Sequence, residues 1–235
     1  MHKTNAHWEA GGIPTPKLVA RVGTFLGELK TAGVLAGGEG LRASSQGARL
    51  IFSGGKCSVT KGPFAGDNEL PAGFTILRAA SLDEAIAWAT RQADVLGDVE
   101  IDVRPVTEAW DIGLAPKPQD VTTVRYMILR KATAATEAGS APSPAQRAGL
   151  ARLLDETRRA GLPVVTATIR PSSRGRRYKN SRDGVTVMDG PFVETKELLA
   201  GYVIVSAASL DDACRWAEPY IRAVGAAEVD VLELE

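Results

Sequence analysis

AASLD at residues 79–83 returns unchanged at residues 207–211, a shift of 207 − 79 = 128 positions. The same shift relates residues 9–103 to residues 137–231 without a gap. A chain that repeats a stretch of this length contains two copies of one module, and such duplication usually fixes an interface between the copies within one polypeptide. The sequence therefore predicts two related modules that pack against each other.

Repeat 2 predicts the element order β-α-β-hairpin-β-α-β. Apolar and β-branched runs favour strands, serines just before helical patterns favour helix starts, and an Asp-Gly pair favours a tight turn. The segments are strands at 121–129, 163–169, 201–207 and 227–234, helices starting at Ser143 and Ser209, a helix stop at Gly161, and a hairpin over Arg177–Met188. Two right-handed βαβ crossovers of this kind form a ferredoxin-like sheet with helices on one face.

The fold class predicted from this order is α+β, with tandem ferredoxin-like modules packed sheet to sheet. The bare face of each sheet needs a cover, and the other copy is the obvious one. We expect a first module at residues 1–106, a Gly- and Pro-containing linker at residues 107–120, and a second module at residues 121–235.

Repeat 1 lacks a sequence equivalent of the first strand of repeat 2. Subtracting 128 from residues 121–129 reaches positions before Met1 for all but the last of them. That strand is central in a ferredoxin-like sheet, and an empty centre leaves two rows of backbone groups without partners. The linker or a strand from another chain would fill the gap; a chain that starts late relative to its module is the other explanation.

Composition predicts a globular cytoplasmic protein. The formal net charge is +0 and 44% of residues are hydrophobic, so no overall field attracts nucleic acid or an acidic membrane. No apolar run reaches the roughly 18 residues of a membrane helix, and the N-terminus lacks the apolar core of a signal peptide. Cys57 and Cys214 are not equivalent in the repeat, which favours free thiols in a reducing compartment.

The segment Met188–Glu197, with Gly201-Tyr202 and Ala207–Ala213, resembles the YCII-related family, in particular its branch named for the motif seen here as Asp189-Gly190-Pro191-Phe192. The resemblance covers nearly all of repeat 2 and most of repeat 1, where Lys61 replaces the aspartate. It implies a dimeric α+β barrel, here formed within one chain, and leaves further homodimerisation open. It also implies small-molecule chemistry in some relatives, including lyases with a His–Asp pair, and a regulatory context linked to extracytoplasmic-function sigma factors.

Asp189 is the candidate catalytic residue. It ends a predicted strand just before Gly190-Pro191. We expect a cleft there, lined by Phe192 and Tyr202, in which a carboxylate is suited to act as a general base. The alternative is that Asp189 only ties down a turn through its own backbone.

Two cations and a second phenylalanine complete the predicted substrate site. Lys61 stands where Asp189 stands in repeat 2, and a lysine there is suited to hold an anionic group. An exposed lysine without a task is the alternative. Arg170 is the second candidate cation, and Phe64 is the counterpart of Phe192 as an apolar wall.

No residue pattern indicates a cofactor or a metal. The histidines are His2 and His7, so a His–Asp dyad would need the frayable N-terminus to bring His7 to Asp189. We find no phosphate-binding loop and no dinucleotide fingerprint, and His and Cys are too few for a zinc site. The basic stretch at residues 170–182 suits nucleic acid, but a solvated, charged hairpin explains it better.

Three functions follow from these candidates. The first is a cofactor-independent lyase or isomerase in which Asp189 moves a proton from an unidentified small molecule. The second is a non-catalytic ligand-binding or regulatory module, favoured because repeat 1 has lost the aspartate and no histidine is well placed. The third, nucleic-acid binding through residues 170–182, is not expected.

Overall fold

A computed structural model describes residues 1–160, 165–192 and 195–235. The predicted helix stop Gly161 and the first residues of the predicted strand at 163–169 lie outside the described residues. Val193 and Glu194, which follow the Gly-Pro-Phe motif of repeat 2, lie outside them as well.

Both repeats contain the predicted order of strands and helices, with one short helix added near the start of each. Repeat 1 contains β1 (His2–Lys3), α1 (Ala6–Glu9), α2 (Pro16–Thr31), β2 (Leu35–Gly40), β3 (Ala48–Ser53), β4 (Lys56–Lys61), β5 (Pro71–Ala79), α3 (Leu82–Leu96) and β6 (Val99–Pro105). Repeat 2 contains β7 (Val124–Lys131), α4 (Ala134–Glu137), α5 (Pro144–Arg159), β8 (Val165–Thr168), β9 (Arg176–Ser181), β10 (Gly184–Asp189), β11 (Leu199–Val205), α6 (Leu210–Cys214), α7 (Ala217–Val224) and β12 (Glu228–Val231).

The helix start predicted at Ser143 is confirmed, and repeat 1 has a serine cap and a glycine turn of the same kinds. The Ser81 hydroxyl accepts a hydrogen bond from the Glu84 amide at 3.2 Å, and the Ser143 hydroxyl accepts one from the Gln146 amide at 3.2 Å. Each cap satisfies an amide that has no partner inside the helix. The β3–β4 hairpin turns at Gly54-Gly55, where both φ angles are positive (56° and 75°), as a tight hairpin turn requires.

The second helix of repeat 2 differs from the prediction because it is broken. Repeat 1 has one continuous helix, α3, whereas repeat 2 has α6 and α7 with a break at Arg215-Trp216. Pro219 explains the difference: it has no N–H to donate to the carbonyl of Arg215, and its ring crowds that carbonyl. Repeat 1 has Arg91 at the equivalent position.

The two repeats exchange their first strands. One six-stranded sheet, sheet I, has the order β4-β3-β6-β7-β5-β8; the other, sheet II, has the order β10-β9-β12-β1-β11-β2. Strand β7 of repeat 2 therefore lies between β5 and β6 of repeat 1, and β1 of repeat 1 lies between β11 and β12 of repeat 2. All these pairs are antiparallel.

The helices and edge strands that follow these exchanged strands are exchanged with them. Helix α2 packs on α7 over sheet II, and α5 packs on α3 over sheet I. Each β-α-β unit straddles a strand of the other repeat, because β7 and β8 both pair with β5 while β1 and β2 both pair with β11. The two spatial units therefore differ from the two sequence repeats.

The short first strand of repeat 1 does not leave a gap in the sheet formed by the other strands of repeat 1; it lies in sheet II. The centre of the sheet built by β3 to β6 is filled by β7 of repeat 2, not by the linker or by another chain. The sheet built by β9 to β12 receives β1, which has only two residues. Because β1 is so short, the centre of sheet II is only partly filled.

The two sheets meet through one shared apolar cluster. Phe74 of sheet I and Tyr202 of sheet II have ring centroids 4.9 Å apart. The cluster also contains Met127 and Leu129 from β7 and Leu199 from β11. Apolar side chains of both sheets therefore share one cluster, and the long helices pack on the sheets.

Candidate functional site

Asp189 does not lie in a cleft. Its side chain is 77% exposed, and its Oδ1 accepts a hydrogen bond from Arg176 Nε at 2.7 Å. The same guanidinium reaches Asp211 Oδ1 at 2.8 Å, in the first turn of α6. The expectation of a sheltered carboxylate is corrected: Asp189 ends the edge strand β10, and an edge strand leaves its side chain in solvent. Its catalytic role stays a prediction.

Lys61 also faces solvent, and it has an ion-pair partner. Its Nζ lies 3.2 Å from Asp83 Oδ1, and Asp83 is the counterpart of Asp211 at the start of a helix. Lys61 is the last residue of β4, an edge strand of sheet I, and Asp189 is the last residue of β10, an edge strand of sheet II. Among residues 1–160, 165–192 and 195–235, the two side chains line no common cavity.

The Gly-Pro-Phe turns have a structural role. A Cβ on Gly62 or Gly190 would collide with the carbonyl oxygen of Ser44 or Ser172, respectively. The Phe192 amide donates to the Ser172 hydroxyl at 3.0 Å. These contacts hold each turn against a short 3₁₀ turn of the same repeat, so only glycine fits there.

Phe64 and Phe192 line no cleft with Asp189, because each covers a buried arginine. The guanidinium carbon of Arg49 lies 4.6 Å from the centre of the Phe64 ring, and that of Arg177 lies 4.3 Å from the centre of the Phe192 ring. Such cation–π contacts stabilise a desolvated guanidinium. The expected apolar walls are therefore part of two equivalent buried charge clusters.

These two charge clusters consist mostly of internally paired groups. In the first, Arg49, Glu69, Asp102 and Lys131 form mutual ion pairs, with Lys131 Nζ 2.9 Å from Asp102 Oδ2. In the second, the carboxylate of Asp230 lies 3.0 Å from Lys3 Nζ and pairs with Arg177, which also donates to Thr195. Burial lowers the pKa of the Lys131 ammonium well below its usual value, and the neighbouring cations act in the same direction.

Arg170 pairs with Glu233 at 3.1 Å, and Arg174 pairs with the same carboxylate at 2.7 Å. Arg177, which belongs to the same basic stretch, is buried against Asp230. Much of the positive charge at residues 170–182 is therefore balanced by acidic groups of β12 and the segment that follows it.

Tyr202 is the one predicted site residue that lines a large cavity. This cavity, about 860 Å³ in volume, lies in sheet II between β11 and the chain from β12 to Leu234, beyond the end of β1 at Met1; we call it the strand slot. Its lining is mainly apolar and includes residues of both sheets and of the covering helices: Met1, Phe25, Phe74, Ile169, Tyr202, Ile204, Ala213, Trp216, Tyr220 and Leu232.

Comparison with sheet I shows what the strand slot lacks. Ile76, Leu77 and Ala79 of β5 are 4%, 2% and 1% exposed because β7 lies beside them. The equivalent residues by the shift of 128 are Ile204, Val205 and Ala207; the first two are half-buried and the third is exposed. In the described part of the chain, residues 204–207, at the end of β11 and just after it, therefore lack the neighbouring strand that β7 provides for β5.

The floor of the strand slot is formed by the start of β1. The Met1 nitrogen donates to the backbone oxygen of Asp230 at 2.8 Å, and His2 Nδ1 lies 2.7 Å from the Tyr220 hydroxyl. Burial lowers the pKa of the Met1 amine to about 5 and that of His2 to about 3. Burial acts to raise the pKa of Asp230, but Lys3 and Arg177 hold it below its usual value.

The slot is suited to binding and poorly equipped for proton transfer. The acidic side chains at its borders, Asp230 and Glu233, are engaged by cations, and burial raises the pKa of the Tyr202 phenol further above its ordinary value. The rest of the lining is mostly apolar side chains and strand backbone, with the hydroxyl groups of Ser206, Ser209 and Tyr220. This arrangement fits an extended, largely apolar ligand better than a reacting polar one.

Sequence reasoning missed most of the slot. Phe25, Trp216 and Tyr220 line the slot, but their helical spacing is that of ordinary core residues and gives no signal of a cavity. One signal was available, because the shift of 128 carries β7 beyond Met1. That signal shows that repeat 1 has no equivalent of most of β7, but it does not indicate which sheet the short strand joins.

Within residues 1–160, 165–192 and 195–235, no group of three or more His, Cys, Asp or Glu side chains is placed to hold a metal ion. In the same ranges no helix has both the length and the apolar character needed to cross a membrane.

Comparison with known proteins identifies the family. The family model described as the YCII-related domain matches residues 11–108 and again residues 124–235. An uncharacterised protein of Rhizobium meliloti (strain 1021) is 40% identical over 58 residues, which are 25% of this chain and 47% of that protein. No solved structure matches. The two matches follow the two sequence repeats, and the chain belongs to the YCII-related family.

Proposed function

We propose that this protein is a non-catalytic binding module whose binding site is the strand slot, and that its ligand is extended and largely apolar. The observation that carries the proposal is the cavity of about 860 Å³ between β11 and β12. Its volume lies within the range of sites that enclose small ligands, roughly 300–1,000 Å³.

The proposal departs from the lyase or isomerase expected through Asp189. A general base works best when burial tunes its proton affinity and it lies within reach of the substrate. Asp189 is largely exposed and is paired with Arg176. Lys61, the lysine expected to hold an anionic group, is likewise exposed and paired with Asp83. Binding is therefore better supported than catalysis.

Finer assignments belong to the same proposal. The Asp-Gly-Pro-Phe motif at residues 189–192 supports placement in that branch of the family, and the contact between Phe74 and Tyr202 supports a dimeric α+β barrel within one chain. In the regulatory context that the resemblance implies, a cytoplasmic module of this kind would respond to occupancy of the slot.

An uncharged apolar fluorophore, N-phenylnaphthylamine, tests the binding role. We expect saturable binding at one site, seen as a rise in fluorescence. The variant Ala213→Trp should weaken this binding at least about tenfold, because Ala213 lines the slot and the indole would fill it.

The matched control places the same side chain elsewhere. Ala20 is exposed on α2, so Ala20→Trp should leave the affinity for the fluorophore unchanged. Absence of saturable binding, or equal binding by the two variants, would refute the proposed function. Circular dichroism of both variants establishes that they are folded.

A further inference from the structure

We infer that a second cavity, formed by repeat 1 and the linker, binds a small α-amino acid with an apolar side chain. This cavity, which we call the linker cavity, has a volume of about 210 Å³ and shares no lining residue with the strand slot. Its lining comes from the loop between α1 and α2, the segment after β2 and the first residues of the linker. The main lining residues are Trp8, Ile13, Arg42, Thr107, Asp111 and Ile112.

Arg42 and Asp111 form an ion pair that leaves one polar atom of each side chain without a partner. Asp111 Oδ2 accepts hydrogen bonds from Arg42 Nε at 2.9 Å and from the Glu108 amide at 2.8 Å, and Arg42 Nη2 lies 2.7 Å from the same oxygen. Within the described residues, Asp111 Oδ1 and Arg42 Nη1 have no hydrogen-bond partner. The two side chains are only 25% and 22% exposed, so they interact more strongly with a bound charge than groups in open solvent do.

The two opposite charges of this pair select a zwitterion. A ligand with only a carboxylate would gain Arg42 but meet the carboxylate of Asp111, and a ligand with only an ammonium group would meet the guanidinium in the same way. An α-amino acid carries both groups on one carbon, so its carboxylate accepts from Arg42 Nη1 while its ammonium donates to Asp111 Oδ1. Such charge-assisted hydrogen bonds are shorter and stronger than neutral ones.

The hydroxyl of Thr107 is an independent indication of a polar ligand. Thr107 lines the cavity, and its Oγ1 is buried with no hydrogen-bond partner among the described residues. A buried polar atom without a partner costs free energy, and native structures contain few of them. Because this hydroxyl has no hydrogen bond to lose, rotation about the Cα–Cβ bond turns it to the carboxylate of a ligand without such a cost.

Apolar side chains form another part of the lining and determine which amino acids fit. The Trp8 indole is held in place because its Nε1 donates to the backbone oxygen of Leu41 at 2.7 Å. Ile13, which is 68% exposed, and Ile112 add aliphatic surface, and burial of that surface favours an apolar side chain on the ligand. The volume lies below the roughly 300–1,000 Å³ of sites for larger ligands, which limits the ligand to the size of one amino acid.

The linker cavity is a property of one half of the molecule. By the shift of 128, Trp8 and Ile13 correspond to Thr136 and Ala141, whose side chains are too small to form the same wall. The polar groups at residues 107–111 belong to the linker. Most of the residues that carry the inference therefore differ between the repeats or lie between them, outside the groups that the shared fold requires.

The indole signal of Trp8 tests this site directly. The protein has four tryptophans, so nitrogen-labelled protein gives four indole N–H signals in nuclear magnetic resonance spectra, and Trp8→Phe identifies the one from Trp8. We expect L-leucine to shift that signal saturably, with a dissociation constant in the micromolar to millimolar range that suits so small a ligand. Isocaproate, which lacks the ammonium group of leucine, and isoamylamine, which lacks its carboxylate, should bind at least about tenfold more weakly.

Two conservative variants test the polar contacts. Thr107→Val keeps the shape of the side chain and removes the hydroxyl, so it should weaken leucine binding about three- to tenfold. Asp111→Asn removes the charge that attracts the ammonium group, so it should weaken leucine binding while isocaproate binds equally well or more tightly. Thr122→Val and Asp120→Asn are matched controls, because both side chains are exposed in or next to the linker, and they should change neither affinity.

Circular dichroism and the other three indole signals establish that each variant is folded, and the three ligands with the unaltered protein decide the question if one variant is not. The inference is refuted if leucine causes no saturable shift of the Trp8 signal, if isocaproate or isoamylamine binds as tightly as leucine, or if either conservative variant binds leucine as its control does. A shift confined to the signal of Trp216, which lines the strand slot, also refutes it, because leucine then occupies the other cavity. Binding of N-phenylnaphthylamine to the slot is measured separately, so failure of this inference and failure of the proposed function are distinguishable.

Discussion

Lys61 and Asp189 occupy equivalent positions in the two repeats, and each is linked to the equivalent first-turn aspartate of the following helix. Lys61 reaches Asp83 directly at 3.2 Å. Asp189 reaches Asp211 through the guanidinium of Arg176, at 2.7 and 2.8 Å. Position 48, the counterpart of Arg176, is alanine. The change from Lys61 to Asp189 is thus accompanied by the change from Ala48 to Arg176, so each repeat keeps an ion pair at this position. This pairing explains the difference in charge without a catalytic role for Asp189.

An exchange of these residues tests that compensation. Asp189→Lys alone should lower the melting temperature, since it places a second cation beside Arg176. Adding Arg176→Ala should recover most of the loss, because the new lysine then faces Asp211 as Lys61 faces Asp83. Thermal denaturation at low salt checks the order of the three proteins. A double variant no better than the single one would contradict the compensation.

The Gly-Pro-Phe turn predicts a strict requirement for glycine. Gly190→Ala should lower the free energy of unfolding by more than about 2 kcal/mol, because its Cβ would collide with the Ser172 carbonyl and the buried turn must shift. Gly23 on α2 is the control, since its Cβ would meet nothing within 4 Å. Gly23→Ala should raise stability by about 0.5–1 kcal/mol, and urea unfolding measures both.

A pair of isoleucines tests the open centre of sheet II. Ile76 is fully packed beside β7, whereas its equivalent Ile204 borders the strand slot. Ile76→Ala should destabilise by about 2–5 kcal/mol, and Ile204→Ala by less than half as much, since fewer contacts are lost. Equal losses in urea unfolding would mean that the slot is already filled in solution.

His2 predicts a loss of stability in acid. Its pKa falls from the ordinary 6.5 to about 3 in the folded protein, so between these values the unfolded chain binds a proton that the folded chain does not. Stability therefore declines as pH falls from about 6.5 towards 3, by at most about 1.4 kcal/mol per pH unit. In His2→Asn this part of the slope should disappear. Unfolding at pH 4.5 and 7 in both proteins measures the difference.

Local signals predicted the elements well, because they depend on neighbouring residues. Two serines, Ser81 and Ser143, cap helices, and Gly54-Gly55 forms a hairpin turn. All three depend on contacts within a few residues. The break between α6 and α7 followed equally local chemistry at Pro219, although the expected helix was continuous. The candidate site was less predictable, because the exposure of Asp189 and the position of Phe192 over Arg177 depend on distant parts of the chain.

By itself, the sequence determined that the chain is two copies of a β-α-β-hairpin-β-α-β module and that the 128-residue shift does not extend to the first strand of repeat 2. The reason is that helix periodicity, turn residues and the 128-residue shift are properties of the chain alone. The tertiary structure decided that the copies exchange β1 and β7, so that the two-residue β1 leaves a slot beside Tyr202. Strand partners are chosen by burial and backbone hydrogen bonding across the whole molecule, which no local pattern records.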